Sequence, residues 1–324
     1  MSIVRLFLIL SFLVSCAQLD QTSINKCEVT KASFDIGSGS TKMVVARIDR
    51  CQEKIINVLY EASRAIELKD HLLKNKNYFR KDFIYHSLDQ IAELKSIAQE
   101  KGASVFNAVA TAAFRSAKNS KYFKNAIKER VQIEVSTINQ TTEALIAFNA
   151  AKSKAKEQNL VVWDIGGGSM QIVKARNKSK NIYLGKLASV SFKKEVLELL
   201  QKKSSPNPLT KPGAIRAMDY ARKYAGESAK EIIGDIKDLY VVGVGGVHFY
   251  SIRNQTGKNP YYTQNDLLNA LLERSKLTDK QVGGEYASTD VTNLALVLGY
   301  MQALGIERVH PMKVNMAHGI LLSP

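Results

Sequence analysis

The sequence predicts an α/β protein built from two similar domains that face each other across a cleft, and three observations carry that prediction. Apolar runs of strand character alternate with stretches of helical periodicity along most of the chain. The stretch "KASFDIGSGSTKMVVARID" (31–49) is answered by "LVVWDIGGGSMQIVKA" (160–175), so that Phe34–Val44 and Trp163–Val173 share Asp, Ile, two Gly, Ser and Val at equivalent positions. Each copy opens as a hairpin instead of a strand–helix crossover, which argues against a simple Rossmann unit. At 324 residues the chain is long enough for two cores.

The elements follow in order. "ASFDI" and "TKMVVARI" read as strands joined by a glycine turn, and "KIINVLYEASRAIEL" as further strand and turn. Over 79–101 the apolar residues Ile84, Leu88, Ile91, Leu94 and Ile97 recur at helical spacing. "ASVFNAVATAAF" is a strand that ends in small residues, "SKYFKNAIKERV" a helix, and "QIEVSTI" a strand. "TTEALIAFNAAKSKAKE" reads as a helix whose threonines suit an N-cap. The order then restarts. "NLVVWDI" and "MQIVKARN" repeat the hairpin, "NIYLGKLAS" adds a third strand, and a helix is expected over 192–202. "SSPNPLTKPG" is the clearest loop in the chain. A long helix (212–234), the strand "DLYVVGVGG" and mostly helical sequence to about residue 305 follow, and "RVHPMKVNMAHGILL" is read as a strand and turn. The connection "AAKSKAKEQ" places the boundary near 147–158, giving domains over 30–147 and 148–324.

The first fifteen residues stand apart. Arg5 leads into an apolar run from Leu6 to Val14, too short to span a bilayer, and "LVSC" then sets small residues before Cys16. This resembles a bacterial lipobox. Residues 1–15 are then a lipoprotein signal peptide, Cys16 the lipidated residue, and 16–29 a polar tether. No acidic residue follows Cys16 as a retention signal, so the expected location is the cell envelope, at the periplasmic face of the outer membrane. Export bears on the other two cysteines. Cys27 and Cys51 flank the first hairpin at its open end, where an oxidising compartment favours a Cys27–Cys51 disulfide.

The formal net charge is +16, from 46 Lys+Arg against 30 Asp+Glu. Such a field attracts polyanions and repels cations; nucleic acid, anionic lipid and polyphosphate all fit it. The lysines are scattered, as on a solvated surface, and point to no specific nucleic acid.

A strand ending Asp-Ile-Gly-x-Gly-Ser exposes backbone N–H groups at a hairpin tip. Glycine turns those groups toward one point and allows close approach, and with a serine hydroxyl they form a phosphate cradle. The strand-end aspartate is then placed to hold a divalent metal. A single turn of this kind is as well explained by a tight hairpin, but two copies aimed into one cleft are not. "VVGVGGV" (241–247) supplies a third glycine turn, with Gly245 and Gly246.

Four stretches, "FDIGSGSTKMVVARID", "VATAAFRSAKN" (109–119), "INQTTEALIAF" (138–148) and "VVWDIGGGSMQIV", together resemble the exopolyphosphatase / guanosine pentaphosphate phosphohydrolase family of the actin-like ATPase superfamily, in its short form. The resemblance implies two ribonuclease-H-like domains and Mg2+ as cofactor. It implies that Glu143 is the general base for the attacking water, and that Asp35 and Asp164 position metal and nucleophile. Gly37, Ser38, Gly39 and Ser40, with Gly166, Gly167, Gly168 and Ser169, become the phosphate loops. Arg115 falls near the transferred phosphate, where its fork suits phosphoryl oxygens. Apart from the resemblance, Lys42 is either within reach of phosphate from the first loop or simply a solvated strand lysine.

Three departures stand against the family pattern. Thr142 replaces the first of two glutamates, Gln171 replaces a glutamate after the second loop, and "VNMAHG" lacks an expected arginine and glutamate. Val247 also stands where a threonine is usual. Fewer carboxylates imply a more positive cleft. The leading reading is a lipid-anchored hydrolase that releases terminal phosphate from inorganic polyphosphate or a similar phosphoanhydride. The alternative is a catalytically weakened or inactive polyanion-binding lipoprotein. A kinase or ATPase of the same superfamily ranks third. A second copy of the chain, as a homodimer, is counted among the candidate partners. The five histidines lack metal spacing.

Overall fold

A computed structural model describes residues 27–176, 179–234, 236 and 239–322. The stretch expected to be a signal peptide, Cys16 and most of the expected tether lie outside the described residues. Among the described residues no helix is long and apolar enough to cross a membrane.

Two sheets organise the chain. The first contains β1 (Glu28–Ile36), β2 (Thr41–Asp49), β3 (Lys54–Arg64), β4 (Val105–Ala110) and β5 (Val135–Thr137), in the order β3-β2-β1-β4-β5. Its first three strands are antiparallel, and β4 and β5 join in parallel. The second contains β6 (Leu160–Ile165), β7 (Met170–Arg176), β8 (Ser179–Gly185), β9 (Tyr240–Val244), β10 (Tyr262–Thr263) and β11 (Arg308–Pro311), in the order β10-β11-β9-β6-β7-β8. Here too a three-stranded meander precedes strands added in parallel, β9 and β11, with β10 antiparallel at the edge. The sequence repeat is therefore a repeat of topology, mixed α/β in the manner of ribonuclease-H-like folds.

Strand alternation decides what faces each side. On β1, Ala32, Phe34 and Ile36 pack with the helices Lys81–Glu100 and Ser120–Val131, which leaves Ser33 and Asp35 on the opposite face. On β6, Val161, Trp163 and Ile165 join the core under the helices Lys211–Ser228 and Ala287–Leu304. Leu160 and Val162 instead face the helix Gln140–Lys152, and period 2 puts Asp164 on that same side. Trp163 is wholly buried against His248 and Tyr300, so it packs under the strand.

The helix Gln140–Lys152 follows β5 of the first sheet yet packs against the second. Gln140 Nε2 donates to the carbonyls of Met170 (3.1 Å) and Gly185 (2.8 Å). The helix Met316–Leu321 makes the reverse crossing: it follows the second sheet and packs on Val44, Ala46 and Ile48 of β2, with Ser33 Oγ donating to the Ala317 carbonyl at 2.6 Å. A Cβ on Gly319 would stand 2.5 Å from Ile146, so the two crossing helices touch backbone to side chain.

Three expectations need correction. The C-terminal stretch read as strand and turn is the short strand β11 followed by that helix, because Asn315 starts a helical turn that buries Met316, Ala317, Ile320 and Leu321. The helix expected over 212–234 runs Lys211–Ser228 and breaks before a separate turn, Lys230–Ile233. The helix expected over 192–202 starts earlier, at Ser189, since Ser189 N and Val190 N donate to the second glycine turn.

At the open end of the first hairpin Glu28 pairs with Asp49, and Cys27 and Cys51 form a disulfide with Cα atoms 5.4 Å apart.

Candidate active site

Both glycine turns close the same way. Gly37 N donates to Ser40 O at 3.1 Å, and Gly166 N donates to Ser169 O at 2.9 Å. A helix is tied to each: Lys69 N donates to Ser38 O (2.9 Å), and Val190 N to Gly167 O (2.8 Å).

The tips meet. A Cβ on Gly167 would lie 3.0 Å from Gly39 N, and one on Gly168 would lie 2.7 Å from Ser38 Oγ. The approach leaves little room for a side chain at Gly167 or Gly168, which accounts for two of the three successive glycines of the second turn. The third glycine turn joins them: Gly245 has φ +81°, and a Cβ there would stand 2.5 Å from Asp164 Oδ1.

These turns line one cavity of about 530 Å³, together with Asp35, Asp164, Glu143, Lys42 and Ser169. Asp35 ends β1 and is buried; its Oδ2 lies 3.6 Å from Lys42 Nζ on the neighbouring strand, and its Oδ1 has no hydrogen-bond partner. Burial pushes the Asp35 carboxyl up, against the pull of Lys42. Burial likewise raises Asp164, to about 7, with Lys42 opposing and the charges of Glu143 and Asp35 adding to the rise. Loss of solvation also lifts Glu143, again against a cation, here Arg115. Three carboxyls whose ionised forms are disfavoured by burial and by one another call for positive charge.

Glu143 sits in the first turn of the helix Gln140–Lys152, whose N-cap Asn139 accepts from Thr142 N at 2.8 Å. Its Oε2 accepts from Arg115 Nη1 at 2.8 Å, and its Oε1 from Ser169 Oγ at 3.4 Å. Arg115 is thereby committed. Nη1 also donates to Ile138 O (3.0 Å) and Nη2 to Ser169 Oγ (3.3 Å), so the guanidinium anchors Glu143 and the second turn and presents no open fork to the cavity. Gln171, directly across from Asp164 on β7, is buried; its Nε2 donates to Ser169 Oγ at 3.3 Å, and its Oε1 is unpartnered.

The expected positive cleft is not found. Eight carboxylates line the cavity (Asp35, Glu61, Glu67, Asp70, Glu143, Asp164, Glu285, Asp290) against three lysines, Lys42, Lys193 and Lys313. The net +16 lies elsewhere on the surface, and the residues lost at Gln171 and in "VNMAHG" are outnumbered by acids from β3 and from 285–290. Two of the lysines pair across the rim: Lys193 Nζ with Asp70 Oδ2 at 2.7 Å, and Lys313 Nζ with Glu61 Oε1 at 3.0 Å. Thr111, Ser251, Asp290 and Asn293 also line the cavity. No spacing in the sequence marks them.

The fold is that of a ribonuclease-H-like α/β protein whose glycine turns line a cavity. Residues 44–199 match the model of the Ppx/GppA phosphatase family. The bifunctional 3-dehydroquinate synthase/phosphatase of Fusobacterium nucleatum subsp. nucleatum is 26% identical over 171 residues, 47% of this chain. The matched part spans 26% of that relative's length. The Ppx/GppA family member of Aquifex aeolicus superposes with a TM-score of 0.71 at 20% identity, covering 91% of this chain and 97% of that one. An exopolyphosphatase from Cytophaga hutchinsonii gives 0.73 at 16% identity, covering 90% and 96%. The structural likenesses establish the fold. The family match covers 44–199, just under half of the chain.

Proposed function

We propose that residues 30–147 and 148–324 are two actin-like domains, and that their facing turns hold the terminal phosphoryl group of a phosphoanhydride for hydrolysis. The proposed activity is exopolyphosphatase-like, releasing terminal phosphate from inorganic polyphosphate or a related polyphosphorylated substrate. One observation carries this reading: the two glycine turns touch each other, and Glu143 lines the same cavity as Asp35 and Asp164.

In this reading the N–H groups of Ser38, Gly39 and Ser40, and of Gly167, Gly168 and Ser169, receive the phosphoryl oxygens, those of Gly37 and Gly166 being used to close the turns. Lys42 offsets their charge from β2. Glu143 orients a water and takes its proton as the water oxygen bonds to phosphorus; the bridging P–O bond breaks, and the shortened chain leaves. Arg115 positions the base and opposes the rise that burial imposes on its carboxyl. The donor set fits a hard divalent cation such as Mg2+, since the strand-end carboxylates converge and both Asp35 Oδ1 and Ser38 Oγ are buried without a partner. When bound at Asp35 and Asp164 the cation would neutralise charge on the phosphoryl oxygens.

Lipid anchoring through Cys16 at the cell envelope belongs to the same proposal. The test is phosphate release from tripolyphosphate and long-chain polyphosphate with Mg2+, by the wild type and by Glu143→Gln. No release from the wild type removes the hydrolase reading, and equal release from both proteins removes Glu143 as its base.

A further inference from the structure

One wall of the cavity is unrelated to phosphate chemistry. It is made by the π-helical turn Val247–Ile252 and the helix Ala287–Leu304, which bring Ser251, Asp290 and Asn293 together. Ser251 Oγ donates to Asp290 Oδ1 at 2.7 Å and accepts from Asn293 Nδ2 and Gln255 Nε2, both at 3.2 Å. A hydroxyl has one proton and two lone pairs, so Ser251 is saturated. Both amides turn their nitrogens toward it and leave their oxygens over.

What remains is acceptor capacity. Asn293 is 2% exposed, lines the cavity, and its Oδ1 has no hydrogen-bond partner. Gln255 Oε1 is likewise buried and unpartnered. Asp290 makes no ion pair within 4.0 Å among the described residues; Arg274 is the cation that acts on it, without forming a salt bridge. A buried amide oxygen left unpaired costs about 1–3 kcal/mol, so the site is built to receive a donor. A neutral hydroxyl would satisfy Asn293 but leave Asp290 with only the Ser251 hydrogen bond and Arg274, outside ion-pair distance, to offset its charge. An ammonium satisfies both, and the eight-to-three excess of carboxylates over lysines around the cavity attracts a cation.

We propose that Asp290 and Asn293, held in place by Ser251, form a subsite for the amine end of a short amino-bearing organic phosphate whose phosphoryl group lies on the glycine turns. The proposal rests on the phosphoryl position given under Proposed function and adds the chemistry at the other end. A cavity of about 530 Å³ takes a small organic ligand of this kind. Inorganic phosphate chains lack the ammonium and leave this wall unsatisfied.

The test is calorimetric binding of ω-aminoalkyl phosphates with about two to six methylenes to the full-length chain, each compared with the alkyl phosphate of the same length. At one or more lengths the amine is expected to bind at least about tenfold tighter, the equivalent of about 1.4 kcal/mol. Asp290→Asn and, independently, Asn293→Leu should collapse that ratio toward one. No amine preference at any length in the wild type overturns the proposal, as does a preference that survives both substitutions. Binding needs no turnover, so an amine preference without phosphate release keeps this subsite and removes the hydrolase reading, and release without the preference does the reverse.

Discussion

Arg115 Nη1 donates to Glu143 Oε2 at 2.8 Å, across 28 residues of chain, and the same nitrogen donates to the Ile138 carbonyl. The arginine that the sequence offered as a phosphate ligand is thus the partner of the proposed base. Burial raises the Glu143 carboxyl and Arg115 lowers it. Removing the guanidinium leaves burial unopposed, so the carboxylate form needs a higher pH. Arg115→Leu should therefore move the acid limb of the pH–rate profile upward, and should lower stability by about 3 kcal/mol as a buried carboxylate loses its partner. A profile unmoved on the pH axis would show that the ion pair does not tune the base.

Close approach of the two turns makes a second prediction. A Cβ on Gly168 meets Ser38 Oγ at 2.7 Å and Ala112 Cβ at 3.3 Å. Gly168→Ala should push the turns apart and cut phosphate release by two orders of magnitude or so, the cost of misplacing a reacting group by about an ångström. Gly226→Ala, with open space around its Cβ, serves as the control and should leave activity unchanged. Equal rates for the two variants would contradict the paired-turn account.

His248 is fully buried, with Nδ1 2.6 Å from the Tyr262 hydroxyl, and desolvation pushes its pKa down to about 3. The unfolded chain binds a proton at this residue below about 6.5, and the native state does not until about 3. Its contribution to stability is therefore complete above pH 6.5 and falls as pH drops toward 3, by about 1.4 kcal/mol per unit. His248→Gln should flatten the stability–pH curve in that window by about this slope, read from urea melts at a series of pH values.

The disulfide joins residues 24 apart across the open end of the first hairpin. Closing a loop of that size restricts the unfolded chain by about 3 kcal/mol. Cys27→Ser/Cys51→Ser should lower the unfolding free energy by that amount, while phosphate release at low temperature stays intact because neither cysteine lines the cavity.

Much of this was legible in the residues. The repeat around Asp35 and Asp164 foretold two sheets of matching topology, and glycine counts foretold turns tight enough to meet. The site's polarity was not legible. Glu61, Glu67 and Asp70 lie on β3 and the segment after it, Glu285 and Asp290 far downstream, and a total charge of +16 conceals their convergence. Arg115's partner was hidden for the same reason: spacing along the chain does not report a contact formed when one helix crosses to the other sheet. The helix Met316–Leu321 was missed because six residues are too few for a period to declare itself, and its burial comes from β1 and β2 at the opposite end of the sequence.

The most direct measurement is hydrolysis of tripolyphosphate in H2(18)O with Mg2+, following label in the released orthophosphate. Water attack on the terminal phosphorus predicts one labelled oxygen per phosphate released, and Glu143→Gln should slow release by two to four orders of magnitude, roughly the share of a general base. Release that carries no solvent oxygen, or a Glu143→Gln rate equal to that of the wild type, would contradict the account.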